Sequence, residues 1–208
     1  MELTRTLFKE MVARGLAAVQ DKKDELSALD GATGDGDHGI AICEAMSAAL
    51  EAANPDVEFN KMLTEMGFAI MMKTSGSIST LLGALFLGMA KGATANELDA
   101  GQTATMLQSG LANVRQQTKA DIGDKTMMDA LIPAVAALDA NQGEGLAGMF
   151  AIAAQAADEG RAKTADMVAK FGRARNLGER VIGHTDAGAT SISYIFKAFA
   201  ETLADLNN

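Results

Sequence analysis

Apolar residues return at helical spacing along nearly the whole chain, and strict alternation of apolar and polar residues is almost absent. Leu7, Met11, Leu16 and Val19 share one helical face, as do Phe59, Leu63, Met66 and Ile70. A half-buried sheet needs the alternation that is missing here, so the pattern restricts the chain to helices packed on helices. Composition points the same way. Alanine, leucine and methionine are abundant, and aromatic residues make up only 4%, a balance that favours helix over strand. With 208 residues and 48% hydrophobic content, the chain can bury one sizeable core. It has two prolines and no Ser/Gly- or Gln-rich tract, so no linker divides it. Residues 1–208 read as a single domain.

Turn residues cut the chain into eight helical stretches, roughly 3–28, 38–53, 57–73, 78–91, 96–117, 126–138, 144–170 and 188–206. The connections are short except for 171–187, and short connections favour antiparallel neighbours. The expectation is an all-α, up-and-down array. In such an array every second loop lies at the same end. One end carries 29–37, 74–77, 118–125 and 171–187; the other carries 54–56, 92–95 and 139–143. The second set is ordinary turn chemistry: Asn54-Pro55-Asp56, Gly92-Ala93-Thr94-Ala95 and Ala140-Asn141-Gln142-Gly143. The first set holds almost all the unusual sequence, so topology alone gathers it into one site.

Charge narrows the function classes. There are 27 acidic residues against 18 basic ones, a net charge of -9. A nucleic-acid binder needs a basic footprint, and none is visible. Cys43 is the only cysteine, which suits a reducing compartment. The first residues carry charge early and have no apolar signal region. The stretch Thr74 to Ala90 between two lysines is too short and polar for a membrane span. The chain reads as soluble and cytoplasmic, with no nucleic-acid or membrane partner.

The sharpest motif is Asp30-Gly31-Ala32-Thr33-Gly34-Asp35-Gly36-Asp37-His38-Gly39. Three carboxylates separated by glycines repel one another unless they are solvated or hold a cation. Glycine lets the backbone turn sharply enough for them to converge. Hard oxygen ligands suit Mg²⁺ or Ca²⁺ rather than zinc. A solvated acidic turn before a helix is the plainer alternative. The segment formally matches G-x-G-x-x-G, but a helix precedes it and two aspartates inside the loop would repel a phosphate unless metal intervened. Counted as an EF-hand from Asp35, it lacks the required ligands.

Three further segments are suggestive. Thr74-Ser75-Gly76-Ser77-Ile78-Ser79-Thr80 opens an apolar helix; it suits an anion site at a helix start, or simply a well-capped helix. No Walker A motif occurs, so any nucleotide is bound without a P-loop. In Gly123-Asp124-Lys125-Thr126-Met127-Met128-Asp129, Asp124 is placed to cap the next helix. The methionines suit either the core or an adenine ring. The segment from Gly172 to Ser191 concentrates arginines in an acidic chain. It suits a lid that grips phosphate, or a loop pinned by Arg–Glu pairs. Thr185 or Asp186 is placed to cap the last helix. The only histidines, His38 and His184, lie in these motifs, and no Ser or Cys pattern suggests a nucleophilic triad.

Together the four motifs, in this order and spacing, resemble the nucleotide-binding L subunit (the DhaL family) of bacterial dihydroxyacetone kinases and the matching domain of single-chain kinases. The resemblance runs nearly the whole length. It implies an eight-helix antiparallel barrel with ADP or ATP at one end. It implies that Asp30, Asp35 and Asp37 ligate two Mg²⁺ ions and that His38, Gly39, Ile40 and Ala41 touch the nucleotide. It aligns Ser77 and Ile78 with a phosphate-binding turn and Thr118 with a further contact. It sets Met127 against the adenine, and Arg173 with Asp186, Ala187 and Gly188 along a closing loop. Arg173 is the candidate catalytic residue. No general base for a sugar is evident; the family holds the ketose on a separate K subunit. The nucleotide is recharged by a phosphohistidine protein of the phosphotransferase system in one branch and exchanged as ATP in the other. The turn Ser75-Gly76-Ser77-Ile78-Ser79-Thr80-Leu81 and the segment Asp186-Ala187-Gly188 depart from the common family forms, which leaves another three- or four-carbon ketose such as erythrulose open. A fatty-acid kinase domain and a nucleotide-loaded regulatory module are the remaining alternatives.

Overall fold

The computed structural model of the protein describes residues 1–73 and 76–206. Thr74 and Ser75, which belong to the small-residue turn read from the sequence, lie outside the described residues. Among these residues the chain forms nine α-helices: α1 (Arg5–Asp21), α2 (Lys23–Thr33), α3 (His38–Ala52), α4 (Phe59–Lys73), α5 (Gly76–Gly92), α6 (Ala100–Val114), α7 (Met128–Ala140), α8 (Gly145–Lys163) and α9 (Ala187–Asp205). The predicted first helix is therefore two. Lys22, at φ -102 and ψ 12, breaks the spiral, although its amide still reaches the Ala18 carbonyl. The second piece continues past residue 28 to Thr33, so Asp30 sits in the last turn of a helix rather than in a loop.

Other boundaries shift for local reasons. α6 ends at Val114, three residues before the predicted stop, and α8 ends at Lys163 in a single 3₁₀ turn, Thr164–Asp166, instead of running to 170. Sharp starts have identifiable caps. The Thr4 hydroxyl accepts the Leu7 amide at 3.1 Å in front of α1. Asp99 and Gln102 form a reciprocal capping box in front of α6. A two-residue strand β1 (Leu3–Thr4) pairs antiparallel with β2 (Glu97–Leu98), Leu3 opposite Leu98. Strands that short leave no alternation to read.

Each long helix packs on its neighbours in sequence, and α1 touches both α3 and α9, so eight helices close into a ring with α2 set against α3 and α9. Glycines set the tightest crossings. A Cβ on Gly88 of α5 would come within 2.8 Å of Gly110 Cα on α6, so the two helices meet almost backbone to backbone.

The ring has two unlike ends. Phe8 packs against Phe59 (5.6 Å between ring centroids), Phe86 and Phe199 (both 6.3 Å), and Phe150 lies 6.3 Å from Phe199 and 6.4 Å from Phe196. These rings come from the first turns of α1 and α4, the second turn of α8 and the later turns of α5 and α9, which is one end of the barrel. Burying each is worth about 1.5–3 kcal/mol, and together they plug that end. At the other end α3, α5, α7 and α9 all begin. Four helix N-termini converge there, where amides and helix dipoles favour negative charge.

Candidate functional site

A cavity of about 760 Å³ opens at the end where the four helices begin. Its walls come from Asp30, 33–35, Asp37, His38 and Ala41, from 76–78, Thr80 and Leu81, from Gln117, Thr118, Ala120 and 125–128, from 171–174, and from Asp186 and Gly188. All four unusual segments meet there, as the count of helices requires. The volume is that of a typical small-molecule site.

Asp30 organises the acidic edge. From the last turn of α2 its Oδ2 accepts the backbone amides of Gly36 at 2.7 Å and Asp37 at 3.0 Å. The loop between α2 and α3 is thereby folded back over its own carboxylate. Two glycines make the fold possible. Gly36 stands at φ +80, and a Cβ on Gly34 would fall 2.6 Å from Asp30 Oδ1. Asp30, Asp35 and Asp37 each present a carboxylate oxygen, and the three oxygens lie within 4.8 Å of one another. This all-oxygen set fits a hard divalent cation such as Mg²⁺. The Arg173 guanidinium pairs with Asp35 Oδ2.

His38 begins α3 but faces inward. It is 8% exposed, and its Nε2 lies 3.0 Å from Ser191 Oγ. That hydroxyl donates to the Gly188 carbonyl, so it accepts from Nε2–H, and His38 braces α3 against α9. Burial pushes the imidazole down to about 4, with the Asp30 charge pulling back up. The ring is neutral at ordinary pH. Asp186 caps α9 by accepting the Ala189 amide at 2.7 Å. Burial pushes its carboxyl up to about 7; the Ala189 amide opposes this, the Asp129 charge adds to it, and Lys125 opposes it.

The DAK2 domain family matches residues 32–201, most of the ring and all of the cavity walls but Asp30. The chain belongs to the DAK2 domain family. The ADP-binding subunit DhaL of PEP-dependent dihydroxyacetone kinase 1 from Listeria innocua is 33% identical over 186 residues, covering 88% of this chain and 89% of that one. The D-erythrulose kinase of Mycolicibacterium smegmatis is 36% identical over 196 residues, 90% of this chain but 33% of that one. The dihydroxyacetone kinase of C. freundii, solved in complex with AMP-PNP and Mg²⁺, superimposes with a TM-score of 0.74 at 26% identity over 97% of this chain. The chain spans 34% of that kinase. Relatives of the DAK2 domain thus occur both as chains of this length and as about a third of longer ones.

Within the DAK2 fold the candidate residues fall into two groups. Ala41, Ser77, Ile78, Thr118, Met127, Arg173, Asp186 and Gly188 line the cavity with His38 and the three aspartates. Gly39, Ile40 and Ala187 are not in its walls. Gly39 packs against Lys23 and Ser27 of α2, Ile40 is 47% exposed, and Ala187 is buried.

The third motif corrects the sequence reading. Asp124 does not cap α7. Asp129, 1% exposed in the first turn of α7, reaches back and accepts the amides of Gly123 at 2.6 Å and Thr126 at 2.8 Å. Asp124 accepts the Asp121 amide at 2.8 Å and the Lys170 ammonium at 2.7 Å. The Lys170 hydrogen bond, then the amide, hold its carboxyl below the usual carboxylate range. Lys125, also in the cavity wall, is buried. The sequence reading missed Asp129, Lys125 and Ser191 as polar members of this region. A lone Lys next to a methionine pair carries no spacing signal, because its partners are forty to sixty positions away in the chain.

Proposed function

We propose that this chain is the ADP- or ATP-binding subunit of a kinase for dihydroxyacetone or a closely similar small ketose, working with a second chain that holds the sugar. The observation that carries this reading is the convergence of three carboxylates and four helix N-termini on one cavity. A polyphosphate with its cations uses both features at once: the aspartates repel a bare phosphate, and the helix starts repel a bare metal. Bound by Asp30, Asp35 and Asp37, two Mg²⁺ ions would neutralise the nucleotide phosphates. In the chain itself, Asp30 fixes the loop that presents Asp35 and Asp37. The starts of α3, α5 and α9 offer amides to phosphate oxygens, and Ser77 and Ile78 lie at the α5 turn. Met127 and Thr118 supply the apolar and polar wall for the base. Arg173 brings a fixed positive charge to the moving phosphoryl group.

The partner reading rests on the relatives and on the surface around the cavity mouth. Exposed apolar side chains collect at the same end: Ile40, Phe68, Met72, Ile122 and Ile182. The D-erythrulose kinase relative carries its DAK2-like third within a longer chain, and the L. innocua relative is called a subunit. A K-type sugar-bearing chain seated over the mouth is consistent with all three. A phosphotransferase-system phosphohistidine protein as the phosphoryl donor suits the PEP-dependent relatives, and the setting is then cytoplasmic. No helix among the described residues is long and apolar enough to cross a membrane.

The test is to denature the purified protein, with and without prior EDTA, and identify the released nucleotide. Near-stoichiometric ADP that chelation removes supports a resident coenzyme recharged in place. An empty protein that binds ATP only with added Mg²⁺ supports exchange with free ATP. No nucleotide binding in either condition removes the kinase reading.

A further inference from the structure

Among the described wall residues, Lys125 is a charged group to which the nucleotide reading gives no task. It is 3% exposed and stands at φ +58, alone among the described non-glycine residues in the left-handed region. That backbone is unfavourable for a side chain with a Cβ and persists only where the surroundings hold it. Here the side chain does the holding. Its ammonium donates to the carbonyls of both Thr164 and His184.

Those two carbonyls are the feet of one segment. Residues 164–186 leave the end of α8, run out as a 3₁₀ turn, an extended stretch and a second 3₁₀ piece (Arg173–Val181), and return to cap α9. Other bonds close the same neck. The Gly183 amide donates to Ala165 O at 2.8 Å, and the Asp186 amide donates to Thr164 Oγ1 at 2.9 Å. Burial pushes the Lys125 ammonium below its ordinary value, and the charges of Asp186, Asp129 and Asp166 oppose that shift. The preceding residue, Asp124, grips the outgoing strand of the segment through Lys170, accepting its amide at 3.2 Å and its ammonium at 2.7 Å. Beyond that grip the segment carries Arg173 to Asp35. Gly172 at φ +64 and Gly178 at φ +58 flank and interrupt its arginine-bearing part; buried Ala169 and Val181, and Phe171 against the core, anchor the segment between the neck and its tip.

We infer that Lys125 is a positioning residue: a single buried ammonium that ties both feet of segment 164–186 and so determines where that segment holds Arg173 over the cavity. The closed neck stands on geometry alone; its effect on ligand release rests on the nucleotide reading. Thr164 completes the device. Its hydroxyl, fully buried, donates to Arg161 O at 2.6 Å while receiving the Asp186 amide, which couples the end of α8 to the start of α9.

The experiment compares the full-length protein with its Lys125→Met and Lys125→Gln variants under limited trypsin digestion. Arg173, Arg175 and Arg180 are exposed cleavage sites within the segment. The expected result for Lys125→Met is cleavage at these three sites roughly tenfold faster or more, as for loss of charged hydrogen bonds from a buried ammonium, with cleavage elsewhere unchanged. Lys125→Gln, whose amide can still serve one carbonyl, should fall between. Release of a fluorescent ADP analogue with Mg²⁺ should quicken in the same order. Unchanged cleavage at the three sites overturns the inference, including the case in which nucleotide affinity collapses, because that marks Lys125 as a direct ligand. Faster cleavage spread over the whole chain also overturns it, marking a merely structural lysine. If Lys125→Met does not fold, Thr164→Val decides by the same cleavage pattern. Should the wild-type protein bind no nucleotide, the functional reading fails while the tryptic pattern still decides the neck.

Discussion

Arg173, on the long segment before α9, pairs with Asp35, on the loop before α3. Two of the four unusual segments are thus joined by a charge pair at the cavity mouth. Both side chains are largely exposed, at 67% and 44%. Such a pair is worth about 0–1 kcal/mol, little enough for Arg173 to leave Asp35 for a better anion. Arg173→Met is therefore expected to leave thermal stability within a few degrees of wild type. It should slow phosphoryl transfer by about 10²–10³-fold, the usual cost of removing one donor from a developing charge. The measurement pairs a melting curve with turnover in the presence of the proposed sugar-bearing partner. A large loss of stability, or unchanged turnover, contradicts this role.

The three aspartates are not equivalent. Asp30 alone accepts two backbone amides, from Gly36 and Asp37. Asp30→Ala should remove a cation ligand and also unfold the loop that presents the other two. Hydrogen bonds to a charged group contribute about 1.5–3 kcal/mol each, so Asp30→Ala should weaken Mg²⁺–ADP binding at least tenfold more than Asp37→Ala does. Calorimetric titration of the two variants side by side checks the order. Equal losses would show that Asp30 acts only as one ligand among three.

Much of this site was legible because it depended on counting. Once eight helices and short connections were read, the loops 29–37, 74–77, 118–125 and 171–187 had to share an end, whatever their side chains. Small errors in boundaries, such as α6 stopping at Val114 or α2 running on to Thr33, do not change which end a loop occupies. Most of what stayed hidden depends on partners far apart in the chain, and the rest on which of two nearby aspartates takes a local role. Asp124 and Asp129 both precede or open a helix, and local capping rules favour the nearer one; the fold gives Asp124 to Lys170 and lets Asp129 reach back. Lys125 and Ser191 read as ordinary residues until the ring closes and sets Thr164, His184 and His38 beside them.

Gly39 has a task that its neighbours in the motif do not share. A Cβ there would run into the Lys23 carbonyl and the Ser27 hydroxyl, because α2 lies directly on the first turn of α3. Gly39→Ala should therefore push α2 outward, carry Asp30 away from Asp35 and Asp37, and cost about 1–3 kcal/mol as overpacking does. Chemical denaturation and Mg²⁺ binding should worsen together. Gly143→Ala, where a Cβ would meet nothing, is the control and should change neither. A stable Gly39→Ala protein with normal metal affinity would show that α2 is not what places Asp30.

His38 and Asp186 should bend the pH dependence of stability in opposite directions. His38 is held near 4, chiefly by burial, against an ordinary value near 6.5. Between those values the unfolded chain binds the proton and the folded one does not. Its contribution is complete above pH 6.5 and is lost as pH falls towards 4, by up to about 3 kcal/mol. Asp186 is held near 7, again chiefly by burial, above the ordinary carboxylate value. Over the same window the folded chain binds its proton and the unfolded one does not, so its contribution grows as pH falls from 7 towards 4. In the wild type the two slopes largely cancel. His38→Gln removes one of them, and that variant should gain stability relative to its own value at pH 7 as the solution is acidified to pH 5. Asp186→Asn keeps an acceptor for the Ala189 amide and should instead lose stability over the same range. Urea midpoints for the three proteins at several pH values, in EDTA and without nucleotide, make the comparison. Parallel pH profiles for the two variants would mean that neither group titrates as its burial requires.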